Sequence, residues 1–179
     1  MHVYLSFLTY VMYYNYIHRR YYLIHSTGED DMTYQDVLTH LQLWQATIDD
    51  AEFGSDAYHD AKEHYDQILG VLTWREWNFL RDHAKKDVTP EATAKIIAAV
   101  VNDEDPTPIL NLALNHRLSW NFLHYRRKQQ LTLTDVTHII PDFSEGDLRK
   151  IEAGSIDLKS ADWAQLFQAL TVSVHLKFS

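Results

Sequence analysis

The chain has 179 residues, 46% of them hydrophobic and 23% charged, with 5 Gly, 4 Pro and no cysteine. That composition is globular; it excludes a disulfide framework and thiolate chemistry, and so few Gly and Pro argue against a turn-rich all-β fold. The net charge of −9 is uneven: residues 1–116 hold 8 Lys/Arg against 18 Asp/Glu, whereas residues 117–179 hold 8 against 7, so only the C-terminal third could approach a phosphate backbone without strong repulsion.

Residues 1–31 differ in character from the remainder of the chain. Val3 to Tyr22 is rich in aromatics and free of acid. A membrane span needs roughly 20 apolar residues, but Ser6, Thr9, Asn15 and His18 interrupt this run before Arg19 and Arg20. A signal peptide would need a basic start and a small-residue cleavage site. His2 is a poor basic start, and no A-x-A site comes after it. Thr27-Gly28-Glu29-Asp30-Asp31 can be encoded by a purine-rich run just ahead of Met32, as a translated ribosome-binding site would be. The segment is expected to be a non-native upstream extension or an N-terminal helix; a membrane anchor comes last, and no membrane partner is expected.

Residues 32–116 read as an acidic helical domain. Val37, Leu41, Trp44 and Ile48 share one helical face within a helix over Thr33–Ile48. Gly54-Ser55 breaks the chain, and Asp56 to Leu72 forms the next helix, with Tyr58, Ala61, Tyr65 and Leu69 on one side. Thr73 caps a third helix, whose Trp74, Trp77, Phe79 and Leu80 are expected in the core. Thr89-Pro90-Glu91 combines an N-cap, a first-turn Pro and an acid at the positive helix end. Thr107-Pro108 repeats the Thr-Pro signal and predicts a helix through about His116. His59 and Glu63 could share a face, but His64 diverges from His59 and no third ligand is spaced for a metal. With no phosphate loop, nucleophile elbow or H-E-x-x-H, the chain is expected to be no enzyme and to carry no cofactor and no metal.

Residues 117–179 carry the densest signals. A helix runs over Ser119–Gln130, with Leu118, Phe122 and Tyr125 at helical spacing. Thr132-x-x-Asp135 and Ser144-x-x-Asp147 are capping boxes that open two short helices. Pro141-Asp142-Phe143 turns between them, and Gly154 ends the second. Ser160 and Asp162 start a helix through Leu170. The prediction is all-α: an acidic helical N-terminal part and a compact C-terminal bundle.

Leu131-Thr132, Val136, Ser144, Leu148, Ile151-Glu152-Ala153-Gly154, Leu166 and Ala169-Leu170 resemble the pattern of the Cro/repressor-type (XRE-like) helix-turn-helix family over about a third of the chain. The resemblance implies a DNA-binding transcriptional regulator of bacterial, phage or plasmid type, acting in the cytoplasm on double-stranded DNA. The N-terminal part would dimerise or bind a protein partner. It implies a structural ion pair between Arg126 and Glu152, with the forked guanidinium taking both carboxylate oxygens. It implies DNA contacts from the third helix of the bundle and its surroundings: Thr132, Thr134, Ser144, Glu145, Gly146, Arg149, Lys150 and Lys159, with Asp147 beside them. Arg126, Arg127 and Lys128 add positive charge. The sequence departs from the pattern at Leu133, at Pro141 in a turn one residue longer than usual, at Gly146 and at the acids Glu145 and Asp147. Those departures motivate the alternative, a protein-interaction module of antitoxin-like or inhibitor-like type.

Overall fold

Capping chemistry punctuates this chain, and five of the eight described helices begin at a side-chain cap. In the computed structural model, residues 33–170 are described; the reading of residues 1–31 lies outside them. Eight helices and no strand occur among the described residues: α1 (Tyr34–Asp50), α2 (Asp56–Leu69), α3 (Trp74–His83), α4 (Pro90–Val101), α5 (Leu114–Lys128), α6 (Leu133–Ile139), α7 (Glu145–Glu152) and α8 (Ser160–Ala169). The fold class is all-α. No helix among them is long and apolar enough to cross a membrane.

At five helix starts a side-chain oxygen satisfies one of the free N–H groups. Thr33, Ser55, Thr89, Thr132 and Ser144 each accept a hydrogen bond from the backbone N–H three residues on. Helix ends use left-handed residues: Asp103 after α4 (φ 60°), Gln130 after α5 (φ 59°) and Gly154 after α7 (φ 66°). Each closes a Schellman turn; after α5, Leu131 N–H donates to the Arg126 carbonyl at 3.1 Å, and after α7, Ser155 N–H donates to the Lys150 carbonyl at 2.9 Å.

The helices sort into two compact units. One takes residues 33–73 together with Lys86–Leu110; the other takes Trp74–Lys85 and residues 111–170. In the first, α1 packs against α2 and α4, with Val37, Leu41, Ala61 and Ile68 buried. From Ile96 to Val101 every residue of α4 is buried, a helix apolar on nearly every side.

The second unit holds α3 and α5–α8. Its core is one cluster: Leu118 and Phe122 of α5, Val136 of α6, Ile140 of the turn, Leu148 and Ile151 of α7, and Trp163, Leu166 and Phe167 of α8, closed by Leu170. Burying one such aliphatic or Phe side chain stabilises by about 1.5–3 kcal/mol, so this cluster is what positions α6 and α7.

Three local expectations change. Thr107 does not open a helix: 107–111 is turn, and the helix begins at Leu114. Asp105 Oδ1 accepts from both the Thr107 backbone N–H (3.0 Å) and its hydroxyl (2.6 Å), so the Thr side chain serves a local Asp-based turn instead of a cap. Ser119 therefore lies inside α5, fully buried. Trp74 is not core: it is 73% exposed, with the Arg81 guanidinium 5.9 Å from its ring centre. The sequence boundary at 116/117 also differs from the contact pattern, because α3 belongs with α5–α8. Phe79 and Leu80 of α3 are buried.

Candidate functional site

Two seven- and eight-residue helices, α6 and α7, flank a turn of five residues, 140–144. Both are capped reciprocally. Asp135 N–H donates to Thr132 Oγ1 (3.0 Å) while Thr132 N–H donates to Asp135 Oδ2 (2.7 Å). Asp147 N–H donates to Ser144 Oγ (3.1 Å) while Ser144 N–H donates to Asp147 Oδ2 (3.2 Å). Hydrogen bonds from the cap hydroxyls, then from the cap amides, hold both aspartates below the ordinary carboxylate range. Asp147, the acid beside the positions named from the sequence, is thus engaged in starting α7. Ile140 is buried in the turn, and Gln165 of α8 donates to Asp142 at 3.0 Å, which ties the turn to α8.

The positions named from the sequence fall into three groups. Thr132 and Ser144 are caps. Thr134, Glu145 and Arg149 form one chain: Thr134 Oγ1 donates to Glu145 Oε1, and Arg149 Nη2 donates to Glu145 Oε2 at 3.0 Å. Those two bonds, the threonine first, lower the Glu145 pKa. Lys150 is exposed on α7, and Lys159 is exposed immediately before α8. Gly146 lies exposed in the first turn of α7, where an added Cβ would meet only Ser144 Oγ at 3.5 Å. Leu148 and Ile151, on the opposite side of α7, are fully buried, which leaves Arg149 and Lys150 outward.

Arg126 and Glu152 lie behind this face, and both are buried. Arg126 Nε donates to Glu152 Oε1, while Arg126 Nη1 donates to the Leu131 carbonyl. The guanidinium therefore does not fork onto both carboxylate oxygens. The second oxygen, Oε2, instead has Arg75 Nη2 at 3.0 Å, an ion pair outside hydrogen-bond geometry. Sequence reasoning placed Glu152 at the edge of the core; it is 1% exposed.

Arg75 was missed, as were two histidine contacts. His124 Nδ1 lies 2.9 Å from Glu76 Oε1, with the Trp120 ring stacked on the imidazole at 4.8 Å. His83 and His116 have ring centres 4.0 Å apart, and His83 Nε2 lies 3.2 Å from the Ala153 carbonyl. Burial, then the neighbouring His83, lowers the His116 pKa. Apart from the Trp120–His124 stack within one helix, each contact joins residues some 30 to 80 positions apart, so no local spacing signals it.

Of the other candidates, His64 stacks on Trp44 at 4.6 Å, and Glu63 accepts from Gln67 at 3.0 Å. Among the described residues no group of three or more His, Cys, Asp or Glu could hold a metal ion.

Comparison with protein-family models, curated proteins and solved structures finds no match for the chain. The functional reading therefore rests on the chemistry of this face.

Proposed function

We propose that α5–α8 form the DNA-binding module of a sequence-specific transcriptional regulator of bacterial, phage or plasmid type, with α7 as the reading helix in a helix-turn-helix of XRE-like kind. The observation that carries the reading is the two-sided build of α7. Leu148 and Ile151 anchor it in the core while Arg149 and Lys150 face solvent, as a helix entering the major groove requires. Thr134 on α6 and Lys159 before α8 supply further polar and cationic contacts for the DNA backbone. The acidic first unit would dimerise or hold a protein partner, and the protein would act in the cytoplasm.

The test is a mobility shift of the full chain on the DNA upstream of its own gene, at two salt concentrations and with nonspecific competitor. Specific binding survives competitor and weakens with salt. Absence of any shift at low salt overturns the reading.

A second reading, a protein-interaction module, is favoured by Ile139, 53% exposed at the end of α6, and by the carboxylate of Glu145 on the same pair of helices. Glu145→Lys separates the two: it strengthens nonspecific DNA binding if the face meets DNA, and abolishes capture of a basic protein partner if it does not. Asp147 is unsuited to that comparison, because reversing it also removes the carboxylate half of the α7 capping box.

A further inference from the structure

Glu145 holds two of the side chains a duplex would use. Its Oε1 accepts from Thr134 and its Oε2 accepts from Arg149, so one carboxylate ties α6 to α7 and keeps the Arg149 guanidinium on the protein. The pair is accessible to water, with 65% of the Arg149 side chain and 40% of the Glu145 side chain exposed. Exposed pairs of this spacing are weak and open readily. The threonine and arginine bonds hold the Glu145 carboxyl below its ordinary pKa. When Arg149 leaves for DNA, a bare carboxylate remains close to phosphates, which is costly unless the duplex gives it a donor.

In the major groove the guanine O6 and N7 accept from arginine, and the cytosine N4 amino group of the same base pair donates to a carboxylate. One G·C pair therefore offers partners to both ends of the Glu145–Arg149 pair. We propose that Glu145 is the specificity-determining residue of this face: it withholds Arg149 from DNA in general and releases it only where a G·C pair supplies an amino donor in exchange. This inference rests on the DNA-binding reading. It assigns Glu145 a penalty against wrong sequences as its main effect, a recognised route to discrimination.

The experiment uses the full chain. Wild type, Glu145→Gln, Arg149→Ala and the double variant are assayed by fluorescence anisotropy on a duplex selected from a randomised 20-base-pair library with the wild type, and on its scrambled counterpart. Thermal melts confirm that each variant folds. Glu145→Gln is expected to bind the scrambled duplex about tenfold tighter, the size of one base-contact penalty, with little change on the selected duplex. Selection with Glu145→Gln should then admit A·T where the wild type requires G·C, because glutamine pairs with adenine N6 and N7. The gain should be smaller in the Arg149→Ala background, where Glu145→Gln relieves only the repulsion between carboxylate and phosphates and frees no arginine. An unchanged or weaker affinity for the scrambled duplex, or a gain just as large without Arg149, overturns the inference while leaving DNA binding intact. Failure of the wild type to select any duplex at low salt removes the DNA-binding reading itself, and this inference with it.

Discussion

Glu152 is a buried carboxylate held by Arg126 on one oxygen, with Arg75 beside the other. The two arginines are not equivalent. The Arg126 side chain is 10% exposed and that of Arg75 is 48% exposed, so the medium around the first is far less able to replace the lost charge. Removing one member of a buried pair strands the other, which costs more than the pair itself contributes. Arg126→Ala and Glu152→Ala are each expected to destabilise by about 3 kcal/mol, whereas Arg75→Ala should cost about 1 kcal/mol or less. The Arg126→Ala/Glu152→Ala double variant should cost less than the sum of the singles. Urea melts of the full chain measure all four; equal losses for Arg75→Ala and Arg126→Ala would refute the asymmetry.

Gly146 and Gly154 bracket α7 and should respond to alanine in opposite senses. At Gly146 the backbone is helical and the new methyl would lie 3.5 Å from Ser144 Oγ, an ordinary contact. Gly146→Ala should stabilise by about 0.5–1 kcal/mol through helix propensity. Gly154 sits at φ +66°, and a Cβ there would approach His116, His83 and Phe79 at 3.1, 3.2 and 3.3 Å. Gly154→Ala should destabilise by about 1–2 kcal/mol from the left-handed backbone alone. Thermal melts showing both changes with the same sign would contradict this geometry.

Acid should weaken the starts of α6 and α7 together. Asp135 and Asp147 have folded-state pKa values below their ordinary 3.8, so the unfolded chain takes up these protons first. Their contribution is complete above about pH 4 and is lost as pH falls through the lower folded values. The thermal midpoint should therefore drop with acidification below about pH 4, and less steeply in Asp135→Asn or Asp147→Asn. An acid limb of undiminished slope in both variants would exclude the caps as its source.

His116 acts at a higher pH. Its folded pKa is lowered by burial and by His83, with Lys85 adding a smaller push the same way, while Asp157 and a Gly154 backbone hydrogen bond oppose the shift. The neutral ring is the folded form, so its contribution is complete above about pH 6.5 and is lost as pH falls through the depressed folded value. Imidazole NMR titration should place His116 below the ordinary histidine value; a midpoint at or above about 6.5 would contradict the packing against His83. His116→Gln should reduce the loss of stability on going from neutral to mildly acidic buffer.

Most helix starts were legible in the sequence, for a local reason. A cap needs a hydroxyl or carboxylate within three residues of a free N–H, so Thr132 with Asp135 and Ser144 with Asp147 specify α6 and α7 with no help from the rest of the chain. The buried faces of α5 and α7 came from helical periodicity in the same way. Local signals also mislead when two uses compete: Thr107 has the form of a cap, but Asp105, two residues away, claims it.

What the tertiary structure alone decided is which distant groups meet. Trp74 looks like core by type, yet it lies on the exposed side of α3, and side choice depends on the helices packed against it. Arg75 reaches Glu152 across 77 positions of sequence and His83 reaches His116 across 33. Thr134 meets Glu145 across the turn, 11 positions away in sequence, where Ile140 is buried in the core. Sequence dictates hydrogen bonds that close within one helical turn; contacts between helices depend on how the whole apolar cluster packs, and charge pairs such as Arg126–Glu152 gain their strength from the burial that packing creates.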